Sequence, residues 1–476
     1  MTRCRKPRTE AGSLGLAIVL LAFLMTGLDT TIVNIALPRL RDGLGFSPSA
    51  LSWVVNAYML AYGGFLILGG RAGDILGRKR VFGWGVLLFS LASVACGLAP
   101  DRLTFVVARA LQGLGAALIA PNTLSIIAST FAEGPSRNRA LALYSITFGL
   151  SGILGLALGG AITQWLSWRW IFFINAPIGA AVLLGAPGLL QEPERHRRAF
   201  DLPGALLVTL GLGFLSYGFI DLAQAGPAPL GAAWVVGLAV LILGLFVLRE
   251  RNTEGPLLPP WVFTDRNRAG GFSSLLFFSM GNIGIYFFIT QYLQDILHFR
   301  PIDTGLAILP LIATLILVSS AMPKMLKRVR PRLLALSGAS LQVLGALLLL
   351  RLGPASSYWG SVLLPMVILG LAGGFVFMPL NTAILGGVPS KDSGAVSGTI
   401  QTLTNAGGAL GLSLMVAFSK GGAQSGGAAP IALGGIHAAF LTAGGFASIA
   451  FLCGLTLMPR SGSSRAVERR SAGTVG

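Results

Sequence analysis

The sequence predicts an all-α, polytopic membrane protein of fourteen transmembrane helices. Three observations predict it: the composition, the spacing of the apolar runs, and the sidedness of the basic residues. Of 476 residues, 54% are hydrophobic and only 11% are charged. Soluble domains usually carry about 25% charged residues, and a chain this apolar collapses rather than staying disordered. Lipid is therefore the solvent for most of its surface.

A helix that crosses the hydrocarbon core needs about 20 predominantly apolar residues. Such runs cover residues 14–37, 50–69, 81–98, 103–120, 140–164, 170–189, 202–219, 230–248, 269–292, 305–321, 333–352, 358–380, 394–418 and 436–457. The first follows the basic stretch MTRCRKPR. It is too long for a signal-peptide core and lacks a small-residue cleavage site, so it reads as an uncleaved span. Charged or turn-rich breaks delimit the rest in order, among them Arg71 to Arg80, Pro100-Asp101-Arg102, Gly134-Pro135, Ser167-Trp168-Arg169, QEPERHRRAFD at 191–201, and PKMLKRVRPR at 323–332. No room is left for a sizeable soluble domain.

Lys and Arg collect in cytoplasmic loops. With the N-terminus cytoplasmic, inner segments carry 27 basic residues and outer loops 7, and the remaining one is Arg109 inside the fourth span. An error of one span would break this alternation, so both termini are expected in the cytoplasm and the protein in the cell inner (plasma) membrane. All eight Trp fall near span ends or in loops, as an interfacial belt requires. The net charge of +18 is spread over many short loops, which fits topology and anionic lipid, not nucleic acid. Three Cys and three His are too scattered for a disulfide framework, a metal site or a cofactor, and none is expected.

Two inner segments, 191–201 and 249–268, are longer than the others and enclose the seventh and eighth spans. Removing that pair leaves six spans on each side, the organisation of a transporter built from two six-helix repeats. The expected units are therefore 1–190, an N-terminal six-helix bundle; 191–268, a linker with two additional helices; 269–459, a C-terminal six-helix bundle; and 460–476, a cytoplasmic tail. A trace of the repeat survives in the inner loops, where the basic cluster of 70–80 has a counterpart in 324–332.

The segment Gly70-x-x-x-Asp74-x-x-Gly77-Arg78-Lys79-Arg80 must reverse a helix in very few residues, which calls for glycine. Asp74 among basic residues offers a switchable ion pair. This segment resembles motif A of the major facilitator superfamily. The stretch Leu28-Asp29-Thr30-Thr31-Ile32-Val33-Asn34-Ile35-Ala36-Leu37-Pro38 resembles the first-helix motif of its fourteen-helix drug/proton antiporters. Arg109-x-x-Gln112-Gly113-x-Gly115-Ala116-Ala117 is similar to motif B, and Ser167-Trp168-Arg169-Trp170-Ile171-Phe172-Phe173-Ile174-Asn175-x-Pro177-Ile178-Gly179 to the signature after the fifth span. One departure stands out. The antiporter motif of the fifth helix appears as Ser151-x-x-x-Gly155-Leu156-x-x-Gly159-Gly160, with Leu156 where the family has proline. The small residues still allow close helix packing, but the kink is lost.

Asp29 is the only carboxylate well inside a span and Arg109 the only internal cation. From the helical rise, Asp29 lies about 12 Å and Arg109 about 9 Å from the outer ends of their helices. Two opposite charges at one level in lipid are expected to pair, since either alone is costly. The pairing serves equally as a static strut or as a proton-linked switch. The resemblance implies that the first and fourth helices of each half face the substrate. That places Asn34, Gln112, Asn122, Asn282, Tyr286, Phe287, Phe375, Phe377 and Asn381 on the cavity wall, with Gln401 and Asn405 able to join from the thirteenth span. Gly70, Asp74, Gly77, Arg78 and Lys79 become gating residues, and Ser151, Gly155, Gly159 and Gly160 a packing motif.

The expected function is secondary active export of amphipathic drugs or antibiotics in exchange for protons, by alternating access and without ATP, since no nucleotide motif is present. Uptake or facilitated diffusion of a small metabolite is the alternative, favoured by the missing helix-five proline. The expected partners are a small lipophilic substrate, protons and membrane lipid, with the protein acting as a monomer. No nucleophile and base or metal cluster suggests an enzyme.

Overall fold

The computed structural model describes residues 9–131, 134–189, 201–224, 230–253, 256, 264–388, 393–419 and 432–458. The expected tail, 460–476, and the loop at 191–200 lie outside the described residues. All regular structure among the described residues is helical: α1 Thr9–Leu44, α2 Trp53–Leu76, α3 Arg78–Leu98, α4 Arg102–Thr130, α5 Pro135–Trp165, α6 Trp170–Phe173, α7 Asn175–Leu189, α8 Leu202–Gln224, α9 Leu230–Asn252, α10 Arg266–Gln291, α11 Pro301–Met325, α12 Pro331–Leu349, α13 Leu363–Leu385, α14 Ser393–Ser419 and α15 Leu433–Thr456.

Thirteen stretches among the described residues are long and apolar enough to cross a membrane, and a shorter apolar stretch, Trp170–Ala186, makes the fourteenth. Most helices overrun their apolar cores, because backbone at the headgroup layer is still best satisfied by intrahelical hydrogen bonds. Their starts follow local chemistry. Asp101 accepts from the backbone N–H of Thr104 at the head of α4, and Asp265 from that of Arg268 at the head of α10. Pro135, Pro301 and Pro331 occupy the first turns of α5, α11 and α12, where no N–H is missed. Between α2 and α3 the reversal is made by Gly77 alone, at φ 106°, a conformation a side chain would oppose.

The face at which α1 begins is called proximal here and the opposite face distal. The α1–α7 helices pack mainly on one another, with α1 against α5 and α7 and α4 between α2 and α3. The α10–α15 helices do the same, with α10 against α14 and α15 and α13 between α11 and α12. Two seams join the groups, α5 against α11 and α2 against α14, and α1 touches α10. The α8–α9 hairpin lies beside the second seam, with α8 packed on both α2 and α14. Of the tryptophans expected at the interface, Trp84, Trp165, Trp170, Trp234 and Trp359 are exposed. Trp168 is buried, edge-on to Phe105 and Phe172 and with its indole nitrogen beside Gly43.

Candidate transport site

Asp29 sits mid-way along α1 with no exposed surface. Its Oδ2 accepts from Arg109 Nη1 at 2.6 Å, and its Oδ1 accepts from Gln112 Nε2 at 2.7 Å and Asn175 Nδ2 at 3.3 Å. Arg109 and Gln112 stand three residues apart on α4, so one helix face delivers both. The same Arg109 Nη1 donates to Gln112 Oε1 at 2.7 Å, and Arg109 Nε donates to the Val54 carbonyl at 3.0 Å. The guanidinium lies 4.6 Å from the centre of the Tyr58 ring and 5.8 Å from that of Phe172, which compensates charge without adding another acid. Gln112 Nε2 also donates to Ser93 Oγ at 2.8 Å, and Ser93 Oγ donates to the Phe89 carbonyl at 2.7 Å. The cluster is thus a closed network of charge-assisted bonds in a low-dielectric interior, where such bonds are short and strong.

Three members of this network carried no isolated signal in the sequence. Ser93 and Tyr58 are ordinary residues of apolar spans. Asn175 belongs to the quoted signature after the fifth span. Its role depends on the break at Ile174, where α6 ends and α7 begins.

The cavity candidates divide. Gln112 is fully buried in the Asp29 network and does not line a cavity in this conformation. Asn122 is also buried, clamping α4 to α2 by donating to the Gly69 carbonyl at 3.0 Å while standing against Gly73. Phe287 is buried core beside Phe288. The resemblance implied that these three line the wall; in this conformation neighbouring helices bury them. Asn34, Asn282, Tyr286, Phe375, Phe377, Asn381 and Asn405 are partly exposed and Gln401 is exposed. Phe377 nevertheless packs edge-on to Phe278, with centroids 5.4 Å apart, and Phe375 stands beside Gly338 of α12. Thr30, one turn before Asn34 on the same face, is exposed although α1 is an interior helix. Open space therefore lies between the two groups of helices, beside α1.

In the Gly70 segment, Asp74 Oδ1 accepts from Arg78 Nη2 at 2.8 Å and Nε at 3.1 Å, across the Gly77 reversal. Lys79 is partly exposed. Gly70 faces Pro121 of α4. From the superfamily resemblance Asp74 would approach the start of α12 near Leu333. In this conformation α2 packs mainly against α4, α14 and α8 among the described residues. On α5, Gly155 and Gly159 meet α1 at Thr31 and Ile32, and Thr31 Oγ1 donates to the Ser151 carbonyl at 3.3 Å. Gly160 faces Ile302 of α11, so this motif touches both groups of helices. A Cβ at either Gly155 or Gly160 would strike backbone or a β-branched side chain.

At the distal face the two groups are tied together. Arg41 at the end of α1 makes a two-pronged ion pair with Asp295, Nη1 to Oδ2 at 2.6 Å and Nη2 to Oδ1 at 3.1 Å. Asp295 lies in the π-helical turn Tyr292–Ile296 that follows α10, and both side chains are almost fully buried. Beside it Gln294 Nε2 donates to the Ile35 carbonyl at 2.8 Å. Asn56 Nδ2 donates to Ser413 Oγ at 2.9 Å across the α2–α14 seam. Asp295 lies near the end of its span, and its pairing depends on Arg41, 254 residues away. Removing one partner of such a pair at an interface costs roughly 2–5 kcal/mol. Asp295→Asn is therefore expected to raise, by tenfold or more, the rate at which a single cysteine replacing Asn34 reacts with a membrane-impermeant thiol reagent added at the distal face. The swap Arg41→Asp with Asp295→Arg should restore the parent rate. An unchanged rate in Asp295→Asn would show that the pair does not hold this face shut.

The Major Facilitator Superfamily model matches residues 19–412. The chain belongs to this superfamily. Superfamily proteins are transporters, not enzymes, and the chain is a multi-pass membrane protein of about fourteen helices. It is 40% identical over 412 residues, 86% of this chain and 82% of the relative, to the puromycin resistance protein pur8 of Streptomyces alboniger. It is 35% identical over 423 residues, 88% of this chain and 87% of the relative, to the cephamycin export protein CmcT of Amycolatopsis lactamdurans. Among solved structures, the nucleoside transporter NupG superposes with a TM-score of 0.68 at 14% identity, over 94% of this chain and all of that one. That likeness is one of fold.

Proposed function

We propose that the protein exports lipophilic small molecules, antibiotics among them, across the plasma membrane in exchange for protons. Export is supported by the relatives named for puromycin resistance and cephamycin export, each matched over more than four-fifths of this chain. The exchange rests on one observation: a carboxylate, Asp29, held mid-membrane by Arg109, Gln112 and Asn175 with no exposed surface. A proton binding there removes the counter-charge of Arg109 and loosens α1 from α4. The proximal face is the cytoplasm, because it gathers the basic loops. The helix groups 1–190 and 269–459 rock about the interior space, with residues 191–268 as an added hairpin and Gly70, Asp74, Gly77, Arg78 and Lys79 resetting at the cytoplasmic side. One chain suffices for this cycle.

Substrate is held beside Asn34, Asn282, Tyr286, Gln401 and Asn405, polar but uncharged groups with apolar neighbours. A dry site of this kind binds neutral or monovalent cationic compounds, since a second desolvated charge would need a second acid. In a titration of purified protein, a monovalent lipophilic cation is expected to bind at least tenfold more tightly than a divalent one of matched hydrophobicity. Tighter binding of the divalent member would mean that an acidic group faces the site. The function is tested in inside-out vesicles with radiolabelled puromycin. Uptake driven by an imposed pH gradient, and abolished by collapsing it, is expected. Counterflow alone, indifferent to the gradient, would instead establish facilitated diffusion.

A further inference from the structure

Among the described residues, every side chain bonded to the Asp29 carboxylate is a donor. Arg109 Nη1 reaches Oδ2 at 2.6 Å, and Gln112 Nε2 and Asn175 Nδ2 reach Oδ1 at 2.7 and 3.3 Å. That set suits an ionised carboxylate, which only accepts. A protonated Asp29 would instead point its new O–H at a nitrogen that is itself donating, and an unmatched pair of donors in a buried site is costly. Proton exchange at this residue therefore calls for an acceptor that the charged state leaves unused.

Two of the three partners have none to offer. Arg109 carries no acceptor at all. Gln112 Oε1 is taken by Arg109 Nη1 at 2.7 Å, so turning that amide over would break this bond together with those that Nε2 makes to Asp29 Oδ1 and Ser93 Oγ. Asn175 differs. It is fully buried, its Oδ1 has no hydrogen-bond partner, and its Nδ2 is shared between two long bonds, to Asp29 Oδ1 and to Ser93 Oγ, each of 3.3 Å. Its backbone is fixed, because α7 packs on α1 and α3 and Gly179, one turn along, lies so close to α3 that a Cβ there would strike Ser90. Half a turn about the last side-chain torsion exchanges Oδ1 with Nδ2. Asp29 Oδ1 and Ser93 Oγ then lose only their longer bonds, since Gln112 Nε2 still donates to them at 2.7 and 2.8 Å. The NH2 group moves to the place where the carbonyl now has no partner, so one unsatisfied group replaces another.

We propose that Asn175 is the acceptor that lets Asp29 hold a proton: when Asp29 Oδ1 takes a proton from water, the Asn175 amide turns over and its Oδ1 accepts the new O–H. The proton stays on Asp29, and no N–H bond of Asn175 breaks. This rests on the proton-exchange reading above and assigns the group that reads the proton state. The bond from Asn175 to Ser93 exists only while Asp29 is charged, so α3 and α7 are joined through side chains in one state and released in the other.

The test uses the full chain in proteoliposomes, with asparagine isotope-labelled at its side-chain carbonyl. Infrared difference spectra, acid minus neutral, are expected to show a protonated-carboxyl band in the parent and none in Asp29→Asn. With it should come a fall in the frequency of one labelled amide carbonyl, as a bare oxygen gains a hydrogen bond, and this change should vanish in Asp29→Asn and in Asn175→Leu. In a second arm, Asn175→Leu, which keeps the branched outline of asparagine without its polar atoms, is expected to need a proton concentration about tenfold higher for half-maximal gradient-driven puromycin uptake, the weight of one buried hydrogen bond. A residue that only steadied the charged carboxylate would move this requirement the other way. A carboxyl band without the amide change, or a proton requirement in Asn175→Leu that is unchanged or lower, would overturn the role of Asn175. The spectra of the parent and Asp29→Asn decide this even if Asn175→Leu folds poorly. A parent with no carboxyl band assignable to Asp29 at any pH would instead remove the proton-exchange reading itself, and the role of Asn175 with it.

Discussion

Asp29→Asn is expected to reduce pH-gradient-driven export to background while leaving the protein inserted and folded. The amide matches the carboxylate in size, and its oxygen can still accept from Gln112 and Asn175, the partners of Asp29 Oδ1. Its NH2 group then faces Arg109 Nη1, a donor against a donor, while the guanidinium keeps Gln112 Oε1, the Val54 carbonyl and the Tyr58 and Phe172 rings. Leaving one such group short of a partner costs about 1–3 kcal/mol, which a bundle of this size tolerates. What the variant loses is the exchangeable proton. Counterflow of labelled substrate, which needs no net proton movement, should persist where uphill transport fails. Full gradient-driven transport by purified Asp29→Asn protein would remove this carboxylate from the path of the proton.

Arg109→Ala is expected to have the larger effect on folding. It removes the Asp29 Oδ2 donor and one donor each from Gln112 Oε1 and the Val54 carbonyl, and leaves a void beneath Tyr58. Breaking a buried ion pair by removing one partner costs roughly 3–5 kcal/mol, so low yield and a markedly lower melting temperature in detergent should follow. The double variant Asp29→Asn/Arg109→Gln carries no buried charge and should recover part of that loss, a coupling that a double-mutant cycle reads directly. Arg109→Lys should not rescue fully, because one ammonium cannot reach three divergent acceptors in the geometry of a planar fork. Parent-like yield and melting temperature in Arg109→Ala would show that the pair is not what holds α1 to α4.

The Asp29–Arg109 contact was legible because it follows from cost. Each charge is alone in its span, the depths match, and lipid supplies no third partner. The reversal at Gly77 was legible for a similar reason, since a hinge that short needs a residue free to take positive φ, and it does so at 106°. The Arg41–Asp295 pair was not legible. Both residues lie near span ends, where water is an adequate alternative partner, and only the approach of α1 to α10 buries them. Asn175 was hidden differently, because its reach to Asp29 depends on where the sixth span breaks, and the apolar run continues across that break.

The sequence by itself determined how many times the chain crosses the membrane, which face gathers the basic loops, and which two charges must meet. These follow from quantities that add along the chain: hydrophobic length, loop charge, and the expense of an unpaired ion in lipid. Only the tertiary structure decided which face of each helix meets a neighbour, and so put Gln112, Asn122 and Phe287 into packing, left Asn34 and Tyr286 partly exposed and Gln401 exposed, and packed α8 on the α2–α14 seam. In a soluble bundle the polar stripe of each helix would have announced its outer face. Here lipid tails and packed side chains are equally apolar, so the helices carry almost no such stripe, and their rotation is set by small-residue contacts and polar bonds that exist only once the neighbours are in place.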